Sequence, residues 1–185
     1  TAGLFLTLIR HDYPDWLVLE IGADRPDDIK QFARWLKLDV AVLTNLPDLP
    51  AHLEFFSSLE ELIQEKLTLL FAVKKNGTIV LNGDDKQIMT AKEKLAEKFN
   101  ECSIRVLTYG FNEPNDLRVH NEHLYYEKGW PVGLTFKIDH GSHTVPFRLL
   151  GLVGRHQLYA IASGLAVGTA LGLNMIQMAE ALAAY

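Results

Sequence analysis

Ala51-His52-Leu53-Glu54-Phe55-Phe56-Ser57-Ser58-Leu59-Glu60-Glu61-Leu62-Ile63-Gln64-Glu65-Lys66 starts as a loop and turns into a helix. Ser57 or Ser58 suits the N-cap, and Glu60 and Glu61 fall in the first turn, where carboxylates complement the positive end of the helix dipole. Leu59, Leu62, Ile63, Leu70 and Val73 recur at helical spacing and predict one buried face. Lys66 lies within that face, while Glu61, Glu65 and Lys74 lie off it as solvated charges. Burial penalises an ammonium, so a lysine on a core stripe tends toward a neutral, nucleophilic amine, which can take up carbon dioxide as a carbamate. The competing reading is an ammonium that reaches past the stripe to water, and periodicity alone favours it.

The rest of the chain alternates strand and helix. Leu17–Ile21, Val40–Leu43, Thr78–Leu81 and Ile104–Thr108 are short apolar runs of the kind that lie buried on both faces of a parallel sheet. Glu20 ends the first run and Thr44-Asn45 follow the second, on the side of an open α/β sheet where ligands bind. Asp24-Arg25-Pro26 is read as opening a helix with Ile29, Phe32, Ala33 and Leu36 inward. Gly3–Ile9 is read as the end of a helix, followed by a turn at residues 11–15. Asn76-Gly77 is read as a turn. Asn82-Gly83-Asp84-Asp85 is read as capping a helix that turns Ile88, Ala91, Leu95 and Phe99 inward. From Asp116 to Leu152 the pattern changes to alternation, with Leu134, Phe136 and Ile138 on one side and a hairpin at Asp139-His140-Gly141-Ser142. Gly154-Arg155-His156 leads into a helix of small residues that can approach the sheet closely, and Asn174 caps a last helix. The expected fold is therefore α/β: a mostly parallel sheet flanked by helices, with a small antiparallel sheet. It divides into a parallel part (1–112), the antiparallel sheet (113–153) and C-terminal helices (154–185).

The 185 residues suffice for one domain with a substantial core. Net charge is −5 and the isoelectric point about 5.8, with no basic stripe, which argues against nucleic acid and anionic membranes as partners. The apolar stretch 158–173 is interrupted by Gly164, Gly168 and Gly172 and is short for a membrane span. The lone Cys102 fits a reducing, cytoplasmic setting. His120, His123, His140 and His143 match no ligand spacing and are read as sheet and turn residues. The chain starts at Thr1 without a methionine and is read as a fragment.

Four stretches in order carry a resemblance: residues 51–66, Val18–Ala23 (Val-Leu-Glu-Ile-Gly-Ala), Gly77–Asp85 (Gly-Thr-Ile-Val-Leu-Asn-Gly-Asp-Asp) and Gly154-Arg155-His156. Together they resemble the central ATPase domain of the Mur ligases, with a P-loop-NTPase-like fold. The loop is most similar to the subfamily that adds D-alanyl-D-alanine (D-Ala-D-Ala) to UDP-N-acetylmuramoyl-tripeptide (UDP-MurNAc-tripeptide). The resemblance implies ATP and Mg2+ as cofactors and an acyl-phosphate route to the amide bond. It implies that Glu20, His52 and a carbamylated Lys66 hold Mg2+, with His52 and Lys66 as the catalytic pair, and that Asn82 and His156 place the nucleotide. Tyr109-Gly110 matches the family's aromatic-glycine pair. Two departures stand out. Gln157 and Ala160 occupy positions where the family usually has asparagine. No Gly-x-x-x-x-Gly-Lys-Ser/Thr phosphate loop occurs in the 185 residues. The chain alone is therefore expected to be inactive and to cover an open sheet edge, by self-association among other ways. The alternatives are another amide ligase, similar to folylpolyglutamate or cyanophycin synthetases, and a non-catalytic binding module of the same fold.

Overall fold

The computed structural model describes residues 15–46 and 55–184. The elements are α1 (Asp28–Trp35), β1 (Leu38–Leu43), α2 (Leu59–Thr68), a 3-10 turn (Leu69–Ala72), β2 (Val73–Asn82), α3 (Lys86–Glu101), β3 (Arg105–Gly110), β4 (Leu117–Glu127), β5 (Trp130–His140), β6 (His143–Leu150), α4 (Arg155–Ala170) and α5 (Met175–Ala183). The strands form one six-stranded sheet in the order β1-β2-β3-β4-β5-β6. β1, β2 and β3 pair in parallel, joined by crossovers through α2 and α3, whereas β4, β5 and β6 are antiparallel neighbours.

The antiparallel part is continuous with the parallel part. β3 and β4 pair in parallel at only two positions, Tyr109↔Leu117 and Gly110↔Arg118. The connection 111–116 is too short for a helical crossover, so β4 starts beside the end of β3 and runs on past it. The antiparallel strands thus extend from the C-terminal rim of the parallel strands.

β2 shows why its apolar run is unbroken. Ile79, Val80 and Leu81 are all buried. Val80 joins the core under α4, with Leu107, Tyr109, Phe136, Leu158 and Ala162. Ile79 and Leu81 join the opposite core, with Leu67, Leu70, Ile88 and Phe99. Alternation assigns each residue to one face, and both faces are covered. On α4, Leu158, Ala162, Leu165 and Ala166 are buried at helical spacing against the sheet. Gly168 serves the neighbouring helix instead: a Cβ there would stand 2.2 Å from Met178 Sδ of α5.

Several expectations shift. Leu17–Ile21 is not a strand: residues 16–23 have no ladder partner among the described residues, and Val18 is 92% exposed. Only Ile21 and Ala23 reach a core, a small cluster with Ile29, Phe56 and Leu62. The α2 stripe ends earlier than its periodicity suggests. The helix stops at Thr68, the chain tightens through the 3-10 turn, and Val73 already belongs to β2. Asn76 does take a left-handed φ of 63°, but inside β2, where the register with β1 shifts between Leu38↔Val73 and Val40↔Thr78. Glu65 is buried, not solvated: its Oε1 accepts from the backbone N–H of Ile29 (2.7 Å) and Lys30 (3.1 Å). It thereby caps α1, whose N-cap Asp27 makes no side-chain cap bond, its carboxylate accepting from Lys30 Nζ instead, and whose expected cap Asp24 lies outside the first turn. Ser58 caps α2 as expected, accepting from Glu61 N at 3.1 Å. Asp85 does the same for α3 and Asn174 for α5. The expectations for residues 1–14, and for the loop at His52, fall outside the described residues.

Candidate active site

The C-terminal ends of β1, β2 and β3 meet at one rim, laced together by the turn that follows β2. Asn82 Nδ2 donates to Thr44 O beyond β1 (3.0 Å), and its Oδ1 accepts from Asp84 N (3.1 Å). Asp85 caps α3 through Gln87 N and Ile88 N, and also accepts from Leu46 N at 2.8 Å. Asp84 lies between them and takes four donors. Phe111 N (2.7 Å) and Tyr159 Oη (2.8 Å) bond Oδ2, while Asn112 N and Asn115 Nδ2 (both 3.0 Å) bond Oδ1. One carboxylate thus joins β2, the β3–β4 loop and α4.

Gly83 in this turn and Gly110 at the end of β3 make room for that knot. A Cβ on Gly110 would stand 2.5 Å from Asp84 Oδ1, and one on Gly83 would stand 1.8 Å from Asn115 Oδ1. Partial burial by itself would raise the Asp84 pKa, but the bonds from Phe111, Asn112, Tyr159 and Asn115 outweigh it and hold the carboxyl below its ordinary value of 3.8. Burial, reinforced by the bond to Asp84, pushes the Tyr159 phenol up to about 12, so it stays the donor.

The first turn of α4 completes the rim. The Arg155 guanidinium stands 4.0 Å from the centre of the Phe111 ring and 3.1 Å from Glu122. Phe111 in turn meets Tyr159 edge to face at 4.9 Å. His156 is exposed beside them, its Nε2 3.1 Å from Gln157 Nε2.

The residues singled out in the sequence divide as follows. Asn82 and His156 both belong to this rim. Lys66 occupies the last turn of α2, half-buried between Glu65 and Leu67, where an ammonium also suits the negative end of the helix dipole. Glu20 is exposed on the unpaired segment 16–23. Position 52 is outside the described residues. Among the described residues, no group of three His, Cys, Asp or Glu side chains forms a ready metal site. His120 instead stands 3.0 Å from Asp139 Oδ1, and His140 Nδ1 stands 3.0 Å from Asp116 O. Sequence reading missed Asp84, Phe111 and Tyr159 as site residues. Their meeting depends on two contacts 27 and 75 residues apart in the chain. The only local signal was the aspartate pair after Asn82.

Several known proteins resemble this chain. It is 35% identical over 130 residues to UDP-N-acetylmuramoyl-L-alanyl-D-glutamate–2,6-diaminopimelate ligase of Chlamydia caviae, covering 70% of this chain and 24% of that protein. It is 29% identical over 171 residues to UDP-N-acetylmuramate–L-alanine ligase of Bdellovibrio bacteriovorus, covering 92% of this chain and 34% of that protein. The chain thus spans between about a quarter and about a third of these relatives' length. Among solved structures, MurF ligase from Thermotoga maritima in complex with ADP superposes with a TM-score of 0.72 at 29% identity, covering 96% of this chain and 38% of that one. MurF from Acinetobacter baumannii gives 0.75 at 19% identity, over 94% and 35%. Residues 3–168 match the family model of the Mur ligase middle domain, and the chain belongs to that family.

Proposed function

We propose that this chain is the central, nucleotide-handling domain of an ATP-dependent ligase that extends the peptide of a UDP-MurNAc precursor of peptidoglycan, with D-Ala-D-Ala as the incoming group. The observation that carries the reading is the family match over residues 3–168, together with the likeness to a MurF ligase solved with ADP. The choice of D-Ala-D-Ala rests on the 51–66 loop, since the two relatives named above act, by their names, with L-alanine and diaminopimelate.

The residues present fit a magnesium site chemically. The Glu20 side chain has no hydrogen bond or ion pair among the described residues, and neither has Lys66, so both are available as ligands. Glu20 offers carboxylate oxygens, and a carbamate on Lys66 would add two more; hard cations prefer such donors. His52 completes the set in this reading. When bound there, magnesium supplies charge neutralisation for a transferring phosphoryl group. Asn82 spends one amide hydrogen and one lone pair on the rim, leaving one of each for the adenine edge. His156 stands exposed for the nucleotide at the start of α4.

Carbon-13 NMR of the full-length protein in labelled bicarbonate tests the site. A carbamate signal that Lys66→Ala abolishes is expected, as is loss of ligase turnover by at least about 100-fold in that variant and in His52→Ala, with little change in stability. Near-normal turnover in both variants would remove the magnesium assignment.

A further inference from the structure

We infer that Asp84 and Tyr159 are a positioning pair, whose hydrogen bond seats the first turn of α4, and with it Arg155 and His156, against the ends of β2 and β3 for nucleotide binding. The inference rests on the nucleotide-handling role proposed above and names residues that role did not use.

The first turn of α4 needs a fixed point. Its N-cap, Gly154, has no side chain to bond the helix end. The buried stripe starts at Leu158, one turn in, so packing alone holds Arg155 and His156 weakly. Arg155 pairs with Glu122, but its side chain is 63% exposed, and such pairs contribute little. The Tyr159–Asp84 bond is different. It is part-buried, 2.8 Å long and charge-assisted, and its acceptor is itself held by three other donors. Each Asp84 oxygen accepts two bonds, so the carboxylate has no freedom to turn toward another partner. The Tyr159 ring also braces Phe111, the platform on which the Arg155 guanidinium rests. Asn82 and the α4 turn are therefore registered through one residue, because Asn82 Oδ1 holds the Asp84 backbone. Neither Asp84 nor Tyr159 needs to touch a reacting atom.

Tyr159→Phe removes the bond and keeps the ring, so folding is preserved. In the full-length protein it is expected to raise the KM for ATP about 5- to 10-fold, with kcat and the KM for the UDP-linked substrate within about 2-fold of wild type. Asp84→Asn, which turns an amide NH2 toward N–H donors, should show the same split more strongly. A purely structural role would lower the melting temperature without separating the two KM values. An unchanged KM for ATP in Tyr159→Phe, or a parallel rise in both KM values, overturns the inference. Equilibrium titration with Mg-ADP separates the two levels of the argument. A wild type that binds Mg-ADP but makes no amide bond removes the ligase reading, while weaker Mg-ADP binding by Tyr159→Phe still supports the pair. A wild type that binds no nucleotide removes both.

Discussion

Asp84 concentrates the electrostatics of the rim in one carboxyl group. Its four donors stabilise the ionised form, so its folded pKa lies below the ordinary 3.8 despite partial burial. The sign of the pH effect follows. Because the folded value is the lower one, the associated stability is complete above the unfolded value and is lost as pH falls through the folded value. Urea titrations of the chain between pH 7 and pH 2.5 should show Asp84→Asn less stable by about 1–2 kcal/mol at pH 7, with the gap to wild type closing below about pH 4. A gap independent of pH would mean that the carboxylate's charge is not what holds the loop. The sequence signalled Asp84 only as a turn residue, since its partners lie on two separate segments, the β3–β4 loop and α4.

Helix α1 and helix α2 depend on each other through one side chain. The start of α1 offers N–H groups that its own N-cap does not satisfy, and Glu65, 36 residues away from Ile29, supplies the acceptor. Burial of this charge is supported by two backbone N–H bonds and the positive end of the α1 dipole. Glu65→Ala is expected to cost about 2–3 kcal/mol and to increase hydrogen exchange first in residues 28–32, while Glu65→Gln, which keeps an acceptor, costs about half that. Uniform exchange changes across the domain would contradict a local cap. Helical periodicity placed Leu62 on the buried face of α2, but it ran the stripe on to Leu70 and Val73, beyond the helix end at Thr68, passed over the buried Leu67 and could not rank the charged neighbours. Glu65 and Lys66 differ by 100° around the helix, and which of them turns inward depends on where α1 sits.

At the scale of the molecule, the parallel strands and α4 form the rim that carries the proposed nucleotide contacts Asn82 and His156. The 185 residues contain no Gly-x-x-x-x-Gly-Lys-Ser/Thr loop, and the net charge of −5 opposes a triphosphate. Calorimetric titration of the 185-residue chain with Mg-ATP should therefore give a dissociation constant weaker than about 100 μM. Micromolar binding would place the phosphates on groups other than those considered. Among the described residues β1 is an edge strand, and Trp16, Val18 and Trp35 stand exposed to solvent. Among the described residues, no helix is long and apolar enough to cross a membrane.

The sequence by itself determined whatever depends on near neighbours. Alternation fixed β5, with Leu134, Phe136 and Ile138 inward, and helical spacing fixed α3, with Ile88, Ala91 and Phe99 buried. The caps Ser58, Asp85 and Asn174 were legible because a cap bonds only two or three residues ahead. Asn82 and His156 were legible as site candidates through motif resemblance, though not the bonds Asn82 makes. Tertiary structure decided the rest. An apolar run becomes a strand only if another strand offers it a ladder, and Leu17–Ile21 finds none among the described residues. Glu65 is buried because a distant helix start needs an acceptor, and Asp84 organises the rim because two remote segments converge on it. Such contacts are set by how layers pack, and sequence periodicity carries no record of which distant group will arrive at a given face.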